Sequence, residues 1–117
     1  MSEKVYKTLY KYIYNFDDNE IKCEEYVARH KTYDVFVIEN TNTIITRYTL
    51  NELKCDTDFE SIHCLENSVY WMWCDDKEKG LEIFRQQVRN SIAIDYEDIM
   101  QYAKKLEIRM SSMFEVE

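Results

Sequence analysis

The sequence predicts an α+β domain, an antiparallel sheet of four to five strands followed by two C-terminal helices packed on one face. Three observations predict it. Period-two alternation of aromatic and β-branched residues runs through the first half of the chain and returns at Ser68 to Cys74, which is the pattern of strands. After Asp75 the apolar residues recur at three and four, which is the pattern of helices. Proline is absent and the single glycine is Gly80, so turns fall to Asn and Asp, which tolerate left-handed backbone.

The first strand carries Tyr6, Tyr10, Tyr12, Tyr14 and Phe16 on its even positions, and Val5, Lys7, Leu9, Lys11 and Ile13 on its odd ones. A turn at Asp17-Asp18-Asn19 leads into a second strand from Glu20 to about His30, mixed on both faces. Thr32 to Glu39 sets Val35 and Val37 against Phe36 and Ile38, which suits a central strand with apolar neighbours on both sides. Asn40-Thr41-Asn42 supplies a turn before a fourth strand, Thr43 to Thr49. Thr49-Leu50-Asn51-Glu52 has the capping-box pattern and predicts one helical turn. Cys55 to Asn67 is acidic and without period, a long connection. Val69, Trp71 and Trp73 alternate with Tyr70 and Met72 in the most apolar strand, expected across the middle of the sheet. Asp75 with Glu78 opens the first helix, striped by Leu81, Phe84, Val88, Ser91 and Ile92. Ile94, Asp95, Asp98 and Ile99 form an acidic capping box with a hydrophobic staple and predict the start of a second helix, striped by Ile99, Tyr102, Ala103, Leu106, Met110 and Met113.

With 117 residues, 45% of them hydrophobic, the chain reads as a single domain, residues 1–117, with a core of its own. Fifteen Lys and Arg against twenty-three Asp and Glu give a formal charge of −8. That charge disfavours direct nucleic-acid binding, which needs positive side chains to displace counterions, and favours a basic protein surface as partner. A solvated acidic surface that keeps a small protein in solution is the plain alternative. No apolar run reaches the roughly 18 residues of a membrane span, and Met1-Ser2-Glu3-Lys4 lacks the apolar core of a secretion signal, so a cytoplasmic protein with reduced cysteines is expected.

Chemistry-bearing constellations are weak. Cys55, His63, Cys64 and Cys74 are separated by 8, 1 and 10 residues, unlike the paired ligands of a zinc site, so no metal and no cofactor are expected. Four cysteines and two histidines always offer some nucleophile–base pair by chance. Asp17-Asp18, Glu24-Glu25 and Asp75-Asp76 are better explained as a turn, a solvated strand and a helix cap than as acid–base pairs. A glycine-rich phosphate cradle is absent. The expectation is a binding protein, not an enzyme.

Two candidate surfaces remain. Asp56, Asp58, Glu60, Glu66, Asp75 and Asp76 concentrate carboxylates that could imitate DNA phosphates in a groove built of Arg and Lys. Tyr10, Tyr12 and Tyr14 could supply rigid amphipathic contact area. The tyrosines have a competing explanation. Lys7 and Lys11 mark the odd face as the solvent face, which makes the even face a core wall with hydroxyls at its rim.

His30-Lys31-Thr32-Tyr33 leading into a strand, the later aromatic strand, and the helix from Asp75 with Leu81, Ile83 and Phe84 resemble small uncharacterised proteins of phages and mobile elements of AT-rich Gram-positive bacteria, over Val27 to Val88. The resemblance carries no functional residue. It implies a context in which compact acidic proteins inhibit host defence machinery, anti-CRISPR proteins among them. The expected function is therefore an acidic inhibitor that docks on a basic groove of a host nuclease complex. A small-ligand binder with an aromatic pocket, and a homodimer paired through an exposed strand or the tyrosine face, stand as alternatives.

Overall fold

In the computed structural model, residues 5–56 and 68–114 are described. Six strands form one antiparallel sheet: β1 (Tyr6–Asn15), β2 (Glu20–Thr32), β3 (Val35–Ile38), β4 (Ile44–Thr46), β5 (Lys54–Asp56) and β6 (Val69–Cys74). Their spatial order is β4-β3-β2-β1-β6-β5, and one helix, α1 (Lys77–Phe114), follows. The α+β class and the antiparallel sheet are as expected. The counts of strands and helices are not.

The first hairpin forms because its turn residues meet the backbone demands. Asn19 takes φ 53° and its N–H donates to the Asn15 carbonyl at 2.9 Å, while the Asn15 side chain accepts from the Asp17 N–H at 3.0 Å. That turn sets Asn15 opposite Glu20 and Tyr6 opposite Arg29. The other flank of β1 pairs with β6, from Tyr10 opposite Cys74 to Asn15 opposite Val69. The tyrosine strand is thus the middle of the sheet, with partners on both edges.

Strands β4 and β5 lie on opposite edges, yet only residues 47–53 join them. Across a flat six-stranded sheet the edges stand about 24 Å apart, at roughly 4.8 Å per spacing. A connection containing a 3₁₀ turn, here Arg47–Thr49, with its other residues extended, reaches only about 22 Å. The sheet must therefore curl toward the connection. Leu50 packs there on Leu9, Ala28, Phe36, Ile38 and Ile45, and the Asn51 N–H donates to the Trp73 carbonyl at 2.7 Å. The capping-box residues Thr49 to Glu52 accordingly carry no helical turn of their own; Asn51 is left-handed at φ 64°. Curling also recruits Lys54–Asp56 as the short edge strand β5, taking in the first two residues of the expected connection, Cys55 and Asp56.

A second core lies on the other face of the sheet. Tyr12, Tyr70, Met72 and Cys74 meet Phe84 and Val88 of α1, with Tyr10, Tyr14 and Leu81 at the margin. The even face of β1 is the helix face.

Asp76 starts the helix, its Oδ1 accepting from the Lys79 N–H at 3.0 Å and its carbonyl from the Gly80 N–H at 2.8 Å. The cap is one residue later than the sequence suggests. At Gly80 the helix touches the sheet so closely that a Cβ would stand 2.2 Å from the Cys74 Sγ and 3.2 Å from the Tyr12 ring. Tyr12 secures the same contact by donating its hydroxyl to the Lys77 carbonyl.

The second predicted helix does not exist as a separate element. The chain passes through Ile94 and Asp95 without a break, and the acidic capping box goes unused. Ending a helix orphans four C=O groups and starting another orphans four N–H groups. Neither Gly nor Pro lies between residues 81 and 114 to favour such a break. The apolar stripe also stays in phase, since Phe84, Val88, Ile92 and Tyr96 follow each other at four.

Gly80→Ala is expected to lower stability by about 1–3 kcal/mol in urea unfolding, overriding the helix propensity of Ala. Combining it with Cys74→Ala should recover part of the loss. An unchanged or raised midpoint for Gly80→Ala would disprove the close approach.

Candidate interaction surface

The sheet covers only the beginning of α1. A 38-residue helix is about 57 Å long at 1.5 Å per residue, whereas the ten-residue β1 spans roughly 33 Å. Contact of α1 with the sheet runs through Phe84 and Val88 and fades at Ile92, and the Gln87 amide donates to the Asn51 carbonyl at 2.9 Å. Beyond it the helix projects. The molecule measures 86 × 23 × 20 Å, and its radius of gyration is 20.4 Å where a compact domain of this length gives about 13 Å.

The projecting part is not a polar helix. Tyr96, Leu106, Met110 and Met113 are 61, 45, 55 and 76% exposed. With Ile92, Ile99 and Ala103 they form the series 92, 96, 99, 103, 106, 110 and 113, in which gaps of four and three alternate without exception. This spacing is the a/d seam of a coiled coil, sustained here for three heptads. It continues the stripe that Leu81, Phe84 and Val88 turn toward the sheet. Asp95 lies beside the seam, and partial burial, then the neighbouring Asp98, raises the pKa of its carboxyl.

A shallow cleft of about 440 Å³ runs between β2 and the start of α1, lined by Tyr12, Ile21, Cys23, Lys77, Glu78, Leu81 and Arg85. Lys77 and Glu25 face each other across it at 3.4 Å. The opposite sheet face bears Trp71 and Trp73, with the Lys11 Nζ 5.2 and 5.7 Å from their ring centres, and Tyr26 tilted on Trp73 at 5.2 Å. On that face Lys7 pairs with Asp75 at 3.0 Å.

The residues expected to bind a partner are dispersed. Asp56 ends β5 and is exposed. Asp58, Glu60 and Glu66 lie outside the described residues. Asp75 is ion-paired with Lys7, and Asp76 is the helix cap. Tyr12 is buried in the core and stacks on Phe84 at 5.8 Å, so it is not available as contact surface. Tyr10 is half-buried, and Tyr14, also half-buried, leans on Tyr70 and donates to Asn19 Oδ1 at 2.8 Å.

Of the groups that could act as nucleophile or base, burial pushes the Cys74 thiol up to about 11, opposed in part by a backbone hydrogen bond from Asp76. His30 lies stacked on Phe36 at 4.7 Å, its Nε2 within 2.8 Å of the Tyr33 carbonyl. Among the described residues no group of three His, Cys, Asp or Glu is arranged to hold a metal ion. No described helix is long and apolar enough to cross a membrane. Comparison with protein-family models, with curated proteins and with solved structures finds no match.

The surface that sequence reasoning missed is the projecting seam. Dividing the stripe between two short packed helices hid it, although the alternating spacing from Ile92 to Met113 was legible throughout.

Tyr12 and Cys74 share one alkaline signature. Burial raises both pKa values, so the folded state holds these protons more tightly than the unfolded chain. Their contribution is complete below the ordinary thiol range and is lost as the pH climbs from about 9 toward 11. Unfolding free energy should fall across that interval, and Cys74→Ala should flatten part of the slope. A pH-independent stability from 8 to about 11 would contradict burial of these groups.

Proposed function

We propose that the protein is a non-catalytic binding module whose interaction element is the C-terminal part of α1. One observation carries the reading: an apolar seam of three heptads, continuous with the stripe that holds the helix to the sheet, extends past the sheet with Tyr96, Leu106, Met110 and Met113 exposed. Soluble proteins rarely leave a contiguous apolar surface of this kind uncovered, and such surfaces mark sites of protein–protein contact. The sheet acts as the rigid base, and the helix as an arm held at a fixed angle by Gly80, Tyr12 and Phe84. The buried, protonated Cys74 and the stacked His30 fit a scaffold better than a catalytic pair.

A narrower proposal concerns an acidic partner-binding surface. The formal charge of −8 and the exposed Asp56 at the sheet edge support docking onto a basic protein, of which the groove of a host defence nuclease is one instance. On this reading, neutralising Asp56, Asp58 and Glu60 together abolishes such a complex, and rising salt weakens it. A salt-insensitive complex that survives the triple substitution would end the proposal.

The arm itself is tested by cross-linking the full chain through amines in cell extract. Cross-links from Lys104 or Lys105 to another polypeptide are expected, and Leu106→Glu with Met110→Glu should remove them without changing the thermal midpoint. Cross-links confined to the sheet, or insensitive to those substitutions, would overturn the reading.

A further inference from the structure

We infer that the occupant of the seam is a second copy of this chain, lying antiparallel so that the two arms form a short two-stranded coiled coil. The inference rests on the arm being the interaction element and adds what it binds.

Charge argues for it. The first part of the projecting arm is acidic, with Asp95, Glu97 and Asp98, and the second is basic, with Lys104, Lys105 and Arg109 against the single Glu107. None of the three acidic residues has a basic residue three or four positions away in either direction, so their charge is not spent within the helix. Laid antiparallel on itself, the arm sets its acidic half on the basic half of the other copy, twice, by symmetry. Parallel pairing would set like on like.

The register follows from the seam. With the twofold axis beside Tyr102, Ile99 of each copy meets Ala103 of the other, Tyr96 meets Leu106, and Ile92 meets Met110, so that a large side chain faces the small Ala103 at the centre. The flanking positions agree with the same register. Asp95 stands opposite Arg109 of the other copy, and the two Tyr102 rings meet at the axis. Asp95 is the group whose carboxylate the isolated chain disfavours, between partial burial and Asp98. An arginine from the second copy supplies a counter-charge at that position.

Sedimentation equilibrium of the full chain between roughly 1 and 100 μM tests this, with far-UV circular dichroism and thermal midpoint as controls for folding. A concentration-dependent dimer is expected, and Leu106→Glu should make it monomeric with the midpoint that the unsubstituted chain shows when diluted to monomer. Arg109→Glu should weaken the dimer roughly tenfold, since two symmetry-related pairs turn repulsive. Asp95→Arg added to Arg109→Glu should restore it, because in a parallel pair these residues do not face each other. A monomer throughout, a dimer indifferent to Leu106→Glu, or a double reversal without rescue would each overturn the inference. A monomer whose Lys104 and Lys105 still cross-link to a different polypeptide would sink self-pairing alone. Absence of any arm cross-link would sink the binding arm as well.

Discussion

The contact between Gly80, Cys74 and Tyr12 sets the direction of everything that follows in the chain. At this point the helix axis is pressed onto the sheet to a distance that only a residue without a Cβ permits. The Tyr12 hydroxyl then ties the Lys77 carbonyl to the middle strand. Two turns later, Phe84 and Val88 complete the apolar contact over Tyr70 and Met72. A helix fixed at its first turn and again at its third has no freedom left to swing, so its remaining length must leave the sheet along one line. The single glycine of the chain is spent here and not in a turn, which explains why Asn19, Asn40 and Asn51 take the positive φ angles instead.

The two faces of the sheet are covered by different means, and the short connection after β4 is the reason. It cannot cross a flat sheet, so the sheet bends over it, and Leu50 closes the second core from within the bend. This resolves the lysines on the odd face of β1. Leu9 between them is fully buried, while Lys7 and Lys11 run their stems over aromatic rings and keep their ammonium groups at the rim, near Asp75 and the tryptophans. A lysine on a strand therefore did not mark a solvent face.

Much of the fold was legible. The tyrosine hairpin, its Asp-Asp-Asn turn, the two faces of β3 and the apolar β6 all follow from alternation and turn chemistry, because those signals are local. Lys7 and Lys11 pointed to the even face as the helix face, but the odd face they were expected to leave to solvent holds a second core around Leu9. What was not legible depended on distance in space. The edge strand β5 has three residues and no pattern, and exists only because curling brings Lys54 opposite Trp71. Asp95 and Asp98 imitate a helix start, but a cap motif is only an option, taken where the chain gains by breaking. Of the expected site, Tyr12 carried the right chemistry for an interface and was claimed by the core, as the same rows of aromatic residues serve both.

The length mismatch between α1 and the sheet is itself informative. A helix that only had to cover Tyr12, Tyr70 and Met72 could end near Ile92, the last residue of α1 packed on that core among the described residues. The following residues nonetheless keep the seam in register for three heptads, and put nothing at its a and d positions but Ile, Tyr, Ala, Leu and Met. Solvent alone does not favour that choice, because polar helix formers at those positions would hold the helix equally well without the cost of hydrated apolar area. The polar residues beside the seam also segregate by sign along the axis, where a solitary helix would gain by interleaving them at four. Both features lose stability in the isolated chain and regain it only against a surface of matching shape and opposite charge order. The arm meets both requirements when it is turned end for end upon itself.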